Sequence, residues 1–451
     1  MNSTSLLTAV RLLFSSSIGL KHTRSLYLAL LVIGAVPTAG VDSFIAGADF
    51  SHLAFFEQRG IVYREEGQSR DAMAILTNSG LTCVRLRLFT SSAAQAQANP
   101  YNAINNLDYT LPLAQRVKSA GLQFMLDFHY SDTWADPGKQ TKPAAWTNLS
   151  FSDLKNQLRV YNSNCISTFK SAGAMPDYVQ VGNEIIGGLL WPDGRVGGAY
   201  DTPAQWSRLG QLLTNAIAGI RDAAGAEMPR IIIHIDRGGD WGGTQWFFDH
   251  LLRQEVPFDL IGQSYYPFWH GSLESLGTCL TNTAQRYDQP VLIAETAFPW
   301  TNSASIHGLP ATPEGQVQFT AALARIVRGL PGRKGVGVFW WGTEYQRLAG
   351  TSLAGFDQRS FFDFEGNVLP VAKAFGEMVA PVRLSVQPTE ASTLSISWPL
   401  SASAHSLVTT TTLPPTVWLT VTNPVQTSGN INRTVIPIGT ASNQFYRLES
   451  R

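Results

Sequence analysis

Between about residues 41 and 380, short apolar runs alternate with longer stretches in which apolar residues recur every three or four positions. The short runs have the composition of buried strands, and the longer stretches have the period of helices that pack on one face. The predicted strands are Phe44 to Ala48, Thr82 to Leu88, Gln123 to Phe128, Tyr178 to Gly182, Ile231 to Ile235, Leu260 to Ser264, Val291 to Ala294 and Val336 to Trp341. The predicted helices are Asp71 to Asn78, Leu111 to Ser119, Asp153 to Ser171, Pro203 to Ala224, Gln245 to Arg253, Leu273 to Tyr287, Glu314 to Arg328 and Val371 to Met378. Eight strand–helix pairs over this length predict an α/β fold of the TIM (β/α)8 barrel type.

An open, doubly wound sheet is the alternative that the same alternation allows. Sheets of that type bind dinucleotides through a Gly-x-Gly-x-x-Gly turn after the first strand. No such turn follows the first predicted strand, and none of the predicted loops resembles a phosphate cradle. The pattern therefore favours the barrel over the open sheet.

The pattern changes after Pro381, where Ser and Thr dominate and the helical period is lost. Short alternating runs at Leu394 to Trp398, Trp418 to Thr422 and Phe445 to Leu448 indicate antiparallel strands. We therefore predict a barrel domain over residues 41–380 and a small all-β module over residues 381–451. Because the module has no constellation of ionisable groups, an accessory, surface-attachment or sorting role is favoured over a catalytic one.

Residues 1–40 have the pattern of a secretory signal peptide. Arg11, Lys21 and Arg24 precede the apolar run Leu26 to Val36, and the small residues that follow suit a cleavage site. A membrane anchor is the alternative, but the run is much shorter than the roughly 20 residues that cross a hydrocarbon core. We expect a secreted protein with no membrane association after the signal is removed.

The overall charge points to an uncharged ligand. The chain has 33 basic and 33 acidic residues, so its formal net charge is zero. Nucleic acids and anionic membranes both select clustered Lys and Arg, which argues against either as a partner. Charged residues make up only 15% of the chain, whereas it contains 12 Trp, 13 Tyr and 23 Phe. This combination is common in sugar-binding proteins, and we expect a monomer that binds an uncharged ligand.

Cys83, Cys165 and Cys279 are far apart and have none of the C-x-x-C spacings of metal or redox sites. We expect three buried thiols, although one disulfide remains open in an exported protein. No metal and no cofactor are predicted.

Polar residues follow several predicted strands, and in a barrel of this type the carboxyl ends of the strands form the active site. They are Arg85 and Arg87, Asp127 and His129, Asn183 and Glu184, Tyr265 and Tyr266, and Glu295. The two glutamates stand out because each comes at the end of an apolar strand. Each glutamate could instead cap a helix or pair with an arginine. The presence of both, with Asn183 next to Glu184, favours a catalytic role.

Two carboxyl groups at the ends of the fourth and seventh strands would face each other across the mouth of the barrel. Glycoside hydrolysis needs such a pair, in which one acid protonates the leaving oxygen. In retaining enzymes the second group is a carboxylate that attacks the anomeric carbon.

Several segments resemble the endo-β-1,4-galactanases, glycoside hydrolase family 53, whose members are retaining (β/α)8 enzymes. The most specific string runs from Leu126 through Asp127, His129 and Trp134 to Pro137. Other matching segments are Gly47 to Ser51, Glu57 to Gly60 with Tyr63, Val84 to Arg87, Gly182 to Ile185 with Gly188 to Pro192, Ser264 to Phe268 and Ala294 to Trp300. The resemblance runs in order from about residue 45 to residue 378 and leaves the tail uncovered.

The resemblance implies a hydrolase of β-1,4-linked galactan or type I arabinogalactan, the side chains of pectin. Glu184 would be the general acid/base and Glu295 the nucleophile. Asn183 would bind the 2-hydroxyl of the sugar, and Arg85 would keep the nucleophile ionised.

The resemblance also implies that His129 and Tyr265 complete the hydrogen-bond ring around the glutamates. Tyr265 and Tyr266 face opposite sides of a strand, so only one of them can face the site. Trp341 would form the platform beneath the sugar at the cleavage point, and Trp134 and Trp300 would line further subsites. His234 and Asp236 match the family's I-H-x-D segment, which suggests a hydrogen-bonded strand end or, for Asp236, a substrate contact.

The chain departs from the family in two loops. Residues Asn302 to Leu309 lack the Asp cluster with which some bacterial members hold calcium, so no metal is expected there. Gly342 and Thr343 differ from better-known members. A mannanase-like enzyme of the same clan and a noncatalytic carbohydrate-binding barrel remain the competing functions.

Overall fold

The computed structural model describes residues 44–349, 351 and 355–379, together with 384–390, 393–399, 405–412, 417–428, 431–437 and 444–450 of the tail. One compact unit spans Ser43–Val379, and the tail belongs to a second unit. The predicted signal peptide lies outside the described residues.

Eight parallel strands close into a barrel in which each strand pairs with its neighbours in sequence and the last pairs with the first. The strands are β1 (Ile45–Asp49), β2 (Cys83–Leu88), β3 (Gln123–Phe128), β4 (Tyr178–Val181), β5 (Arg230–Ile235), β6 (Leu260–Tyr265), β7 (Val291–Thr296) and β8 (Gly335–Trp340). The closed barrel confirms the predicted fold and excludes the open sheet.

A helix follows each strand. The helices are α1 (Ala72–Asn78), α2 (Leu107–Ser119), α3 (Phe151–Ser171), α4 (Pro203–Ala224), α5 (Trp241–Leu252), α6 (Leu273–Arg286), α7 (Pro313–Arg328) and α8 (Val371–Gly376). The first seven begin after a residue whose side chain accepts a backbone N–H of the first turn: Asp71, Asn106, Ser150, Thr202, Asp240, Ser272 and Thr312. These caps satisfy N–H groups that have no partner within the helix.

Alternation along the strands separates two apolar layers. One set of side chains packs inside the barrel: Ile45, Cys83, Met125, Tyr178, Ile232, Leu260, Leu292, Ala294 and Phe339. The opposite set faces the helices and belongs to a larger core. Gly47 makes room for the interior layer, because a Cβ there would lie 2.2 Å from the Phe339 ring. Apolar side chains thus fill the inside of the barrel, and the polar residues at the carboxyl ends of the strands lie at its mouth.

Shorter elements lie in the loops. Helices at Leu53–Glu57, Ala93–Ala98 and Pro100–Ala103 were not predicted, and two-residue strands pair as Arg64–Glu65 with Gln68–Ser69 and as Gly188–Leu189 with Gly194–Arg195. Single 3-10 turns span Ala144–Trp146, Ile185–Gly187, Gly198–Tyr200, Gly225–Glu227, Pro331–Arg333 and Phe356–Gln358.

The tail forms two small antiparallel sheets, as predicted. Its strands are β9 (Ser385–Glu390), β10 (Thr393–Pro399), β11 (His405–Thr410), β12 (Leu419–Thr420), β13 (Gln426–Ser428), β14 (Ile431–Pro437) and β15 (Phe445–Ser450). The sheet orders are β9-β10-β14-β13 and β12-β11-β15. A modest core of Ile396, Trp398, Leu407, Ile436 and Tyr446 holds them together.

Cys83, Cys165 and Cys279 are all free and buried, so they are core thiols and the disulfide alternative is wrong. Among the described residues, no helix combines the length and the apolar character that a membrane span requires.

Candidate active site

Arg85, on β2, lies at the centre of the polar cluster that fills the mouth of the barrel. Its buried guanidinium is 2.9 Å from Asp49 Oδ2 and 2.7 Å from Asp127 Oδ2. It is also 2.8 Å from Glu295 Oε1, and it donates a 2.9 Å hydrogen bond to Asn183 Oδ1. Burial disfavours its charge, but the three carboxylates more than offset this and raise the pKa of Arg85 above its ordinary value. The site is therefore organised around one permanent cation.

Glu295 reaches the mouth because β7 is irregular at its end. Ala294 packs in the interior layer, so regular alternation would turn Glu295 outward. The pairing of β7 with β6 shifts just before Ser264, which then lies opposite Glu295. Such bulges re-aim side chains next to active sites. The carboxylate consequently points inward, where Oε2 accepts a 2.9 Å hydrogen bond from the Tyr266 hydroxyl.

Glu184 enters the same space through a turn after β4. Gly182 and Glu184 have φ values of 89° and 49°, both in the left-handed region. A Cβ at Gly182 would lie 2.7 Å from the Ile185 side chain, so this turn requires glycine. The turn aims Glu184 across the mouth, where Oε1 accepts a 2.6 Å hydrogen bond from Ser264 Oγ. Uncommon backbone of this kind is concentrated at functional sites.

The two glutamates have different electrostatic surroundings. Burial, followed by the negative charges of Glu295 and Asp236, raises the pKa of Glu184 well above its ordinary value. Burial also raises the pKa of Glu295, but the adjacent Arg85 opposes that rise. Glu295 therefore ionises first, and its charge helps to keep Glu184 protonated. An acid that faces a carboxylate in this way is the acid/base division that glycoside hydrolysis uses.

Tyr266, and not Tyr265, completes the hydrogen bonds around Glu295, so this part of the prediction is wrong. The Tyr265 hydroxyl donates to Gly271 O over 2.9 Å, and its ring stacks with Phe319 of α7. Leu260 faces the interior, and strand alternation then turns residues 262, 264 and 266 inward. Strand alternation could therefore have predicted from the sequence that Tyr266, and not Tyr265, faces the site.

Asn183 and His129 both take part in the network beneath the glutamates. Asn183 Oδ1 accepts from Arg85, and its Nδ2 donates to Ala135 O over 2.8 Å. His129 Nδ1 accepts from the Ala135 backbone N–H over 2.9 Å, and its Nε2 lies 3.0 Å from Asp127 Oδ2. Both ring nitrogens of His129 thus face Ala135 and Asp127, so His129 lies beneath the glutamates and does not bond to either of them as the resemblance implied. Burial lowers the pKa of His129, and the imidazole is neutral.

Trp341 and Trp134 form an aromatic wall on the side of the mouth formed by β8, β1 and β2. Both are partly exposed, and their ring centroids lie 6.0 Å apart. Trp341 packs edge-on against Phe356 at 4.1 Å. The Arg87 guanidinium lies 4.2 Å from the centroid of the Trp134 ring and 5.4 Å from that of Trp341. The wall offers flat apolar faces backed by a buried cation.

Asp236 lies close to Glu184, whereas Trp300 lies in a loop. Asp236 pairs with Arg237, and among the described residues its Oδ1 has no hydrogen-bond partner. Its charge contributes to the raised pKa of Glu184. The Trp300 ring packs against Phe364 at 4.6 Å, and its backbone N–H donates to Gln358 O.

Over the part of the chain that the structure describes, no group of three or more His, Cys, Asp or Glu residues could hold a metal ion. His234 Nε2 lies 2.8 Å from Ser264 Oγ at a buried strand end, as one of the two interpretations of the I-H-x-D segment predicted.

Glu344, in the loop after β8, is a buried carboxyl group that the sequence analysis did not single out. Its Oε1 accepts a 2.8 Å hydrogen bond from the His52 backbone N–H. Burial, with the nearby charge of Asp49, raises the pKa of Glu344 to about 8. It is fully buried behind the aromatic wall.

We expect Glu344 to make the protein less stable as the pH rises. Between its unfolded pKa, about 4.3, and about 8, the folded carboxyl keeps a proton that the unfolded one has lost. The folded state then binds more protons, so the free energy of unfolding falls across this window and is level above it. Glu344→Gln, which keeps the acceptor for His52, should flatten this dependence. Urea unfolding from pH 5 to 9 measures it, and an unchanged slope in the variant would contradict the assignment.

A closed (β/α)8 barrel with two carboxyl groups of unequal pKa at its mouth defines a glycoside hydrolase. The model of glycosyl hydrolase family 53 matches residues 45–375. The chain belongs to this family, which confirms the resemblance found in its motifs.

The chain is also similar to individual curated proteins and to a solved structure. The chain is 41% identical over 315 residues to a Niallia circulans protein described as an uncharacterized protein in the bgaB 5' region, covering 66% of this chain and 83% of that protein. It is 35% identical over 309 residues to an arabinogalactan endo-beta-1,4-galactanase of Thermothelomyces thermophilus, covering 65% and 88%. A solved fungal beta-1,4-galactanase superposes with a TM-score of 0.65 at 32% identity, covering 74% of this chain and 99% of that one.

Proposed function

We propose that this glycoside hydrolase is a secreted, monomeric endo-β-1,4-galactanase that cleaves galactan or type I arabinogalactan with retention of configuration. The observation that carries the proposal is the pairing of Glu184 and Glu295, which are held at one mouth by different partners and have unequal pKa values. The galactanase names of relatives support the substrate class.

In the first step, Glu295 attacks the anomeric carbon while Glu184 gives its proton to the leaving glycosidic oxygen. The C–O bond breaks with its electron pair on that oxygen, and a covalent glycosyl-enzyme remains. Glu184, now ionised, then removes a proton from a water molecule whose oxygen attacks the anomeric carbon. The bond from that carbon to Glu295 breaks with its electron pair on the carboxylate, which releases the sugar and restores both carboxyl groups. The hydrogen bond from Tyr266 and the charge of Arg85 orient Glu295 for attack.

Substrate contacts are proposed from the same geometry. Asn183 engages one of its two amide hydrogens with Ala135, which leaves the other for the 2-hydroxyl of the sugar. Trp341 would support the sugar face at the cleavage point, with Trp134 beside it. Asp236 Oδ1, which has no partner among the described residues, suits a sugar hydroxyl near Glu184. Trp300 would line a more distant subsite.

A reducing-sugar assay on β-1,4-galactan, with β-mannan in parallel, tests the substrate class. The proposal predicts turnover of galactan and not of mannan. Turnover of mannan alone would indicate a mannanase-like enzyme. Binding of galactan without turnover of either polymer would indicate a noncatalytic carbohydrate-binding barrel.

Tyr266→Phe should lower kcat/KM on galactan by about 10- to 100-fold, because it removes a hydrogen bond to the attacking carboxylate. Tyr265→Phe is the matched control, since it removes an adjacent buried hydroxyl that bonds to Gly271 O. The control should keep its activity and lose about 1 kcal/mol of stability. Steady-state kinetics and urea unfolding of both variants measure these effects. Equal losses of kcat/KM in the two variants would contradict the view that Tyr266 alone of the two tyrosines assists Glu295.

A further inference from the structure

Ser264 links two groups that the mechanism has not yet connected. It occupies an inward position on β6, where its Oγ is 2.6 Å from Glu184 Oε1 and 2.8 Å from His234 Nε2. His234 lies on the neighbouring strand β5. Ser264 and His234 are both fully buried, so water does not compete for these contacts.

The direction of this hydrogen-bond chain follows from counting protons. His234 Nδ1 is buried and has no partner among the described residues. A buried N–H without an acceptor is rarer and more costly than a lone pair without a donor, so the proton of the neutral imidazole belongs on Nε2. Nε2 then donates to Ser264 Oγ, and the single hydroxyl proton of Ser264 donates to Glu184 Oε1.

Burial, followed by the positive charge of Arg85, lowers the pKa of His234 well below its ordinary value, and the carboxylate of Asp127 opposes this effect. The charged and titratable groups near His234 are Arg85, Asp127, His129 and His270. Those near Glu184 are Glu295, Asp236 and Arg85. A neutral imidazole has one N–H donor, and His234 uses it in the hydrogen bond to Ser264.

We propose that Ser264 and His234 are positioning residues that occupy Oε1 of Glu184 and thereby confine its acid proton to Oε2. The inference rests on the proposed role of Glu184 as the acid. Oε2 gives its proton to the glycosidic oxygen as the C–O bond breaks, and the same oxygen later accepts the proton of water. Ser264 and His234 keep their own protons throughout, so the carboxyl group need not rotate between the two steps.

Aryl β-galactobiosides with good and poor leaving groups separate this role from a merely structural one. A 2,4-dinitrophenyl leaving group departs without protonation, whereas a methyl-substituted phenol needs the acid. Ser264→Ala should lower kcat/KM by about 10- to 100-fold for the poor leaving group and by less than about 3-fold for the dinitrophenyl compound. The basic limb of the pH profile should move to higher pH, because a hydrogen bond that favours ionised Glu184 is lost. Equal losses with both leaving groups, or a basic limb that does not move, would overturn the proposal.

His234 and a control variant provide the second arm. His234→Gln, which keeps a donor, should retain more activity toward the poor leaving group than His234→Leu. Similar losses of activity in the two variants would contradict the hydrogen-bond chain from His234 through Ser264 to Glu184. Thr283→Val removes a buried hydroxyl that donates to Cys279 O within α6, and it should preserve the leaving-group dependence of the wild type.

A readout that does not depend on catalysis is the tautomer of His234 in the full-length wild-type protein. Long-range ¹H–¹⁵N NMR of ¹⁵N-histidine-labelled protein, assigned with His234→Gln, should place the proton on Nε2. A proton on Nδ1 would overturn the chain even if the enzyme is a galactanase. If the wild type cleaves no β-galactoside, the proposed function fails, whereas the tautomer still tests the hydrogen-bond chain.

Discussion

Glu295→Ala is expected to lower kcat/KM on β-1,4-galactan by roughly 10⁴- to 10⁶-fold, because it removes the group that forms the covalent bond. Glu184→Ala should be comparably slow on galactan but should still attack dinitrophenyl β-galactobioside, which needs no proton. Stopped-flow release of dinitrophenol should then show a burst, because hydrolysis of the glycosyl-enzyme lacks its base.

Added azide distinguishes the two roles by the product that forms. In Glu184→Ala, azide should replace water at the second step and give a β-glycosyl azide. In Glu295→Ala, azide should occupy the space of the missing carboxylate and give the α-glycosyl azide. Glu314→Ala, an exposed glutamate in the first turn of α7, is the control and should behave as the wild type. Exchanged azide products would reverse the two assignments.

Arg85→Met has the second-largest expected effect and should act on both stability and catalysis. It leaves Asp49, Asp127 and Glu295 without their shared cation, and breaking a buried ion pair from one side costs about 3–5 kcal/mol. The pKa of Glu295 should rise further in the variant, because in the wild type Arg85 opposes the rise that burial causes. The acid limb of the kcat/KM profile, which reports the ionised nucleophile, should therefore move to higher pH. Urea unfolding and the pH profile measure the two effects.

Arg85→Lys and Arg159→Met are the controls. Lysine keeps a charge but cannot reach several acceptors in the fork geometry of a guanidinium, so it should recover only part of the loss. Arg159 pairs with Asp222 at an exposed position, and its replacement should change neither quantity measurably. An acid limb that stays in place in Arg85→Met would contradict the view that Arg85 lowers the pKa of Glu295.

The strands and helices of the barrel followed from the sequence because their signals are local. All eight strand–helix pairs were predicted from apolar periodicity, and Gln123–Phe128 and Pro203–Ala224 were predicted to the residue. The short helices at Ala93–Ala98 and Pro100–Ala103 were missed because they bury too few apolar residues to show a period.

The site could be predicted only in part, because its side chains depend on departures from regular strands. Strand alternation would have predicted that Tyr266, instead of Tyr265, faces the site. The same rule would have turned Glu295 away from the site. The bulge that corrects Glu295 arises from pairing between two strands, which is not a local signal. Only the resemblance to galactanases singled out that glutamate's role.

Other partners were missed because their role depends on distant segments. Glu344 is 292 residues from His52, to which it is hydrogen-bonded, and Ser264 is 80 residues from Glu184. The sequence around Glu344 does not single it out, and Ser264 begins a segment that resembles the galactanases but was given no role of its own. Closure of the barrel brings these segments together, so their contacts emerge only from the three-dimensional structure.

The covalent intermediate tests the central claim most directly. A 2-deoxy-2-fluoro-β-galactobiosyl fluoride should react once with the wild type, because the fluorine at C2 slows both steps, whereas the fluoride leaving group at C1 keeps formation of the glycosyl-enzyme faster than its hydrolysis. Mass spectrometry of the intact protein should show the mass of one added 2-deoxy-2-fluoro-galactobiosyl group, and peptide mapping should place it on Glu295. A label on Glu184, or on no carboxyl group at the mouth of the barrel while galactan is still cleaved, would contradict this account.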